Sequence, residues 1–180
     1  YYGLLEMDFA KEEIISKLSL HRALMNGSAE LLVVYDEESA LEVAYALVLT
    51  KNLYGYVLLK YMAVLPWYRG KGVGIAAMRL INKRYADRQG IIAELTSFED
   101  EDGSMLKSLR KFFSRFGFVR INSDYRIGGS SVELMVKPIK GTYEIEPVEH
   151  RIIRDFYTRV LNPFTMDKMI DIRPVKKQED

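Results

Sequence analysis

The period of apolar and polar positions changes several times along this chain, and the changes mark its elements. Between residues 9 and 25, Ile14, Leu18 and Met25 recur near helical spacing, with Lys11, Glu12, Glu13 and Lys17 between them. This predicts an amphipathic helix ending near Asn26-Gly27. Residues 31–35 form a short apolar run suited to a strand, residues 36–39 a turn, and residues 41–50 a second strand. Residues 56–65 are apolar except at Lys60, the pattern of a central strand buried on both faces apart from that lysine. A helix is predicted over 73–86, with Val73, Ala76, Ala77, Leu80 and Ile81 as its apolar stripe and Gly90 suited to the left-handed conformation after it.

Residues 91–98 read as the next strand and 99–103 as an acidic loop. A helix follows from a Ser104 cap to Phe116, and Gly117 ends it. Residues 118–122 and 131–136 are expected to pair as antiparallel strands around Gly128-Gly129. Past Pro138 a second amphipathic helix spans 148–161, with Ile152, Ile153, Phe156, Tyr157 and Val160 on one side, and Pro163 stops it. Residues 164–170 suit a short helical turn, and 176–180 a frayed polar tail.

Composition narrows the chemistry. The 180 residues fit one domain with a sizeable core, and 48% hydrophobic with 28% charged residues is ordinary for a globular protein. A net charge of +1 gives no support to nucleic-acid binding. With no cysteine, disulfides, thiol nucleophiles and thiolate metal sites are excluded; two distant histidines, His21 and His150, make an imidazole-rich metal site a poor reading. The longest apolar stretch, 53–65, is broken by Lys60 and is too short to span a bilayer as a helix. No signal-peptide pattern is present, so no membrane partner and a cytoplasmic location are the default expectations. The chain begins Tyr1-Tyr2 rather than with methionine, as a trimmed or partial product would.

The chemically informative segment follows the central strand. That strand stops at Pro66; Gly70, Gly72 and Gly74 then alternate with Lys71 and Val73, preceded by Arg69, and a helical pattern begins. Strand, glycine-rich turn and helix form an anion-binding layout, because glycine lets backbone N–H groups converge and the first helical turn has unpaired donors. A P-loop run is absent. The dinucleotide fingerprint Gly-x-Gly-x-x-Ala is matched literally by Gly72 to Ala77, with Glu94 about twenty positions on. Its flanks disagree, since residues 66–71 separate the strand from that first glycine.

Arg69-Gly70-Lys71-Gly72-Val73-Gly74 has the form Arg/Gln-x-x-Gly-x-Gly/Ala and resembles the acyl-CoA pyrophosphate loop of the GNAT acetyltransferase superfamily. Residues 109–118, ending Phe116-Gly117-Phe118, resemble that family's late helix, and Glu133-Leu134-Met135-Val136 the strand after it. The resemblance covers roughly residues 29–138. It implies a mixed α/β (α+β) fold with a mainly antiparallel central sheet and helices on both faces. Residues 1–140 would form the acetyltransferase-like domain, and 141–180 a C-terminal helical extension that packs on it, lines the cleft or forms a homodimer contact. It also implies transfer of an acetyl group from acetyl-CoA to a primary amine of a small molecule, a lysine or a peptide N-terminus. The backbone of Met62, Ala63 and Val64 would meet the pantetheine, and Arg69, Gly70, Lys71, Gly72, Val73, Gly74 and Ile75 the pyrophosphate.

The chain departs from the family pattern in its acid–base positions. Leu58 stands where some members carry a glutamate base, Phe113 where a tyrosine commonly protonates the thiolate, and Leu109 where a small residue is usual. The expected substitutes are Glu94 as base and Tyr125 as acid. Glu99, Asp100, Glu101 and Asp102 are expected to attract a cationic amine, and Arg110 and Lys111 to reach CoA phosphates. Two alternatives stay open: an acyl-CoA-binding module without catalysis, and a nicotinamide dinucleotide enzyme.

Overall fold

A computed structural model describes residues 1–96, 103–140 and 149–173. Seven strands are found there: β1 (Ala29–Tyr35), β2 (Glu42–Leu49), β3 (Tyr56–Val64), β4 (Gly90–Thr96), β5 (Val119–Ile127), β6 (Ser130–Pro138) and β7 (Ile170–Arg173). They make one sheet in the order β1-β2-β3-β4-β6-β5-β7. Every neighbouring pair is antiparallel except β3 with β4. Six α-helices cover it: α1 (Tyr2–Asp8), α2 (Lys17–Met25), α3 (Val73–Arg84), α4 (Ser104–Ser114), α5 (Glu149–Thr158) and α6 (Pro163–Met169).

The sheet buries both faces. On one, Leu20 and Ala23 of α2, Ile152 and Phe156 of α5 and Met166 of α6 pack with Leu47, Leu58 and Ile92. On the other, Met78 and Ile81 of α3 and Phe113 of α4 pack with Val48, Val57 and Ile91. β3 changes sides midway. Its partners on β2 step from Leu59↔Val48 to Tyr61↔Leu47, so Lys60 is the extra residue of a bulge. One inserted residue reverses the side-chain alternation. Tyr61 therefore shares the α5 face with Leu58, while Leu59 belongs to the α3 face.

Four local expectations change, and the first is Gly90, which opens β4 instead of taking the left-handed conformation. The predicted helix over 9–25 is broken: α1 ends at Asp8, a 3-10 turn spans Lys11–Glu13, and α2 starts after Ser16, whose hydroxyl accepts from the Ser19 N–H. The break is anchored by β3, because the Tyr61 hydroxyl donates to the Glu13 carbonyl at 2.8 Å and accepts from the Ile15 N–H at 3.0 Å. The stripe of α3 is rotated from the predicted one; Ala77, Met78, Ile81 and Tyr85 are buried, whereas Ala76 and Leu80 are exposed. Gly74 faces Val64 and Phe112. Gly103, with φ of +68°, rather than Ser104 occupies the cap of α4.

The C-terminal segment is more than helical. Its predicted stripe of Ile152, Ile153, Phe156, Tyr157 and Val160 is buried in the core. Pro163 opens α6, with Asn162 capping it by accepting from the Thr165 N–H. β7 then pairs with β5 and extends the sheet. At the β5–β6 turn, Gly128 and Gly129 have φ of +56° and +87°, the conformation a tight hairpin demands. The expected polar tail, 176–180, lies outside the described residues.

Candidate active site

The parallel pairing of β3 and β4 runs from Tyr56↔Gly90 to Leu59↔Ala93 and stops there. Beyond it, β3 stays with β2 as far as Val64, and β4 stays with β6 as far as Thr96. The two strands diverge, and a cavity of about 410 Å³ opens between them. Lys60 and Met62 line it from β3, Glu94 and Thr96 from β4, and Leu109 and Phe113 from α4. Met62, Ala63 and Val64 lie on the diverging part of β3, paired to β2 on their other edge.

At the far end of β3 a 3-10 turn, Pro66–Tyr68, leads into the glycine loop. Gly70 and Gly72 have φ of +74° and +81°, and a Cβ on either would have no atom within 4 Å. These glycines thus serve backbone conformation and leave open space beside the loop. Gly72 caps α3, and its carbonyl accepts from Ile75 at 3.0 Å and Ala76 at 3.1 Å. Val73 and Gly74, ahead of them, carry first-turn N–H groups without an intrahelical acceptor, at the positive end of the helix dipole. Lys71 holds its ammonium 5.8 Å from the Tyr68 ring centre. Arg69 turns back toward the domain: Nε donates to the Val64 carbonyl at 2.9 Å and Nη2 to Asp8 at 2.7 Å.

A buried polar cluster lies where the strands part. Lys60 Nζ meets Glu94 Oε2 at 2.7 Å, with side-chain exposures of 1% and 2%. Glu94 also accepts from the Tyr125 hydroxyl at 2.8 Å and from the Tyr157 hydroxyl at 2.9 Å. The ammonium lies 5.1 Å from the ring centre of Tyr61 and 5.7 Å from that of Tyr157, within cation–π range. Burial alone would depress the Lys60 ammonium, but Glu94 and Tyr157 hold it above its ordinary value. Burial, followed by the Glu94 charge, pushes the Tyr125 and Tyr157 hydroxyls well above theirs, so both are neutral donors at physiological pH.

The two residues expected to move protons, Glu94 and Tyr125, are therefore brought into contact. Glu94 lines the cavity; Tyr125, fully buried on β5, sits behind it. Lys60, expected to be the unburied exception on β3, is buried as an ion pair. Arg110 is committed elsewhere, forking onto Glu133 at 2.6–2.9 Å, while Lys111 is exposed. The acidic run Glu99 to Asp102 lies outside the described residues. Among the described residues, no cluster of histidine and carboxylate side chains could hold a metal, and no helix is long and apolar enough to cross a membrane.

Glu13 and Tyr157 are site residues that sequence patterns did not single out. Glu13 is buried in the cavity wall, where Thr96 hydrogen-bonds its side chain. Burial pushes its carboxyl upward, against the opposing pull of Thr96 and Lys60. In a sequence, a glutamate between Glu12 and Ile14 reads as part of a solvated helix face, and only the break before α2 turns it inward.

Known proteins share this fold. The fold is similar to that of a protein from Bacteroides thetaiotaomicron assigned to the GNAT acetyltransferase family, with 19% identity, a TM-score of 0.69, and coverage of 87% of this chain and 86% of that one. A spermidine N-acetyltransferase SpeG chimera from Vibrio cholerae and hSSAT gives a TM-score of 0.58 at 13% identity, covering 76% and 88%. An aminoglycoside 6'-N-acetyltransferase complexed with coenzyme A gives 0.56 at 14%, covering 79% and 91%. No curated protein matches significantly. Such identities establish the fold alone. The sequence itself fits the family model for an acetyltransferase (GNAT) domain over residues 27–120, just over half its length and inclusive of the glycine loop and both diverging strands. On that match, the chain belongs to the GNAT acetyltransferase family.

Proposed function

We propose that this protein transfers an acetyl group from acetyl-CoA to a primary amine, carried by a small molecule, a lysine or a peptide N-terminus. The observation that carries the reading is the divergence of β3 and β4 beside a glycine loop whose space is open. Positive-φ glycines at 70 and 72 and the first-turn N–H groups of Val73 and Gly74 suit a pyrophosphate. The cavity between the strands suits a narrow acyl chain, flanked by the backbone of Met62, Ala63 and Val64. Arg69, Gly70, Lys71 and Ile75 complete the loop; Arg69 fixes it to the end of β3, and Lys71 adds a cation.

In this reading the buried cluster places the Lys60 ammonium beside the thioester. Its fixed charge stabilises the negative charge that develops on oxygen and then on sulfur. Glu94 keeps that ammonium in place, and Tyr125 acts through Glu94 as a positioning residue. The nicotinamide alternative loses ground, because the literal fingerprint caps a helix in a mainly antiparallel sheet rather than a doubly wound parallel one. Phe113 and Leu58 favour a second reading, an acyl-CoA-binding module without turnover, since neither offers an ionisable group at the positions many relatives use.

Thermal unfolding with acetyl-CoA, CoA and NADH tests the first half: the CoA compounds should raise Tm and NADH should not. Thiol release from acetyl-CoA across a panel of amines tests the second. Binding without thiol release on any amine would favour the module.

A further inference from the structure

Among the described residues, the cavity has two buried carboxylates, Glu13 and Glu94, and their surroundings differ. Glu94 accepts from Lys60, Tyr125 and Tyr157, which occupy its oxygens with an ammonium and two hydroxyls. Glu13 forms no ion pair among the described residues; Thr96 and the nearby Lys60 charge are what favour its ionised form. It reaches the cavity from the turn between α1 and α2, 4% exposed. Its backbone is held firmly. The Tyr61 hydroxyl grips its carbonyl, its N–H donates to Ala10 at 3.0 Å, and the neighbouring Glu12 carbonyl rests against Gly128. A carboxylate fixed in this way is preorganised to meet a substrate group.

We infer that Glu13, not Glu94, takes the proton from the acceptor, and that the acceptor is a primary alkylamine entering as its cation. The inference rests on the N-acetyltransferase reading. Among the described residues, three carboxylates line the cavity, Asp8, Glu13 and Glu94, against one ammonium, Lys60. Asp8 is held by Arg69 and Tyr45, and Glu94 by Lys60, which leaves Glu13 to receive a cation. Met7 and Phe9 beside it offer apolar wall for an alkyl chain.

The proton balance is simple. The ammonium gives one proton to the Glu13 carboxylate and becomes a free amine. Its lone pair forms the C–N bond at the thioester carbonyl, and the C–S bond breaks. The surplus proton on nitrogen passes to the leaving thiolate, giving CoA thiol and amide, and Glu13 returns its proton to solvent.

Groups facing Glu13 are Lys60 and Tyr61 from β3, Glu94 from β4, Asp8 from α1 and Glu12 beside it. The wall from α4, Met105, Leu109 and Phe113, has none that titrates. Lys60 and Tyr61 are both held above their ordinary values, so neither changes charge near neutral pH.

The test uses thiol release from acetyl-CoA with butylamine, 1,4-diaminobutane and free lysine. With the fastest of these, Glu13→Gln should lower kcat by about 10²–10⁴-fold near neutral pH. The deficit should shrink about tenfold per pH unit as pH rises toward the amine's own pKa, where no base is needed. The thermal shift given by acetyl-CoA should be unchanged. Glu13→Asp, which keeps the charge, should retain the wild-type shape of the pH profile at lower kcat. A Glu13→Gln turnover within twofold of wild type, or a loss independent of pH, would overturn the inference while leaving the enzyme reading intact. If Glu13→Gln does not fold, a Glu13→Asp profile lacking its acidic limb overturns it instead. Wild-type protein inert toward all three amines would overturn the alkylamine acceptor, and binding of acetyl-CoA without turnover on any amine would overturn the enzyme reading with it.

Discussion

Tyr157, near the end of α5, donates its hydroxyl to Glu94 at 2.9 Å, in the middle of the sheet. The C-terminal segment thus supplies a buried partner to an enclosed carboxylate of the cavity wall. Replacing that hydroxyl leaves Glu94 one donor short. Tyr157→Phe should cost about 1.5–3 kcal/mol, the range for hydrogen bonds to charged groups. Urea unfolding would measure it, and a loss below half a kcal/mol would mean the bond is idle.

The same contact bears on where the domain ends. Ile152, Ile153, Phe156, Val160, Leu161 and Met166 share one core with Leu47, Leu58 and Ile92. A chain stopped after Lys140 should therefore lack a cooperative thermal transition, since it exposes this face of the sheet. A sharp melt for residues 1–140 would show that the extension is dispensable.

Lys60→Met should be destabilising by about 3–5 kcal/mol, because it strands Glu94 as a buried uncompensated charge. The double variant Lys60→Met/Glu94→Gln should recover much of this loss, the amide oxygen still accepting from Tyr125 and Tyr157. Equal stability of the single and double variants would argue against the pair as the cause.

Gly72→Asp should abolish the thermal shift with acetyl-CoA. It puts a carboxylate beside the N-terminus of α3, in space that nothing else fills. The positive φ adds about 1–2 kcal/mol of backbone cost. Binding equal to wild type by calorimetry would remove the loop from the cofactor site.

Stability should move against activity at Glu13. Its folded carboxyl lies above the unfolded value, chiefly through burial, so the native state binds more protons between the two. Native stability then falls as pH rises through that window, and the penalty is complete once pH passes the folded value. Glu13→Gln should accordingly melt above wild type at pH 7, with the gap closing below the ordinary carboxylate range. A lower Tm at pH 7 would contradict this sign.

Much of the frame was legible in residue patterns because it follows from single-segment periodicity. The apolar run of β3, the glycines after Pro66 and the stripe of α5 each announce themselves within about fifteen residues. The polar cluster was legible only in part. Glu94 and Tyr125 could be named one at a time, but no local pattern pairs Lys60 with a carboxylate 34 positions away. The bulge at Lys60 is equally hidden, since an extra residue in one strand exists only relative to its partner. The break after α1 depends on a tyrosine 48 positions downstream, which outcompetes the helical spacing of Ile14 and Leu18.

Gly128 ties these distant pieces together. Its N–H donates to the Met169 carbonyl at 2.9 Å, and a Cβ there would sit 2.7 Å from the Glu12 carbonyl oxygen. One hairpin tip touches both a segment that precedes β1 and one that directly precedes β7. The wall bearing Glu13 can lock only after Met169 has emerged, and Glu94 waits equally long for Tyr157. During synthesis, the growing chain holds a half-built cavity with charged groups still wet, and the closed cavity arrives in a single late step rather than strand by strand.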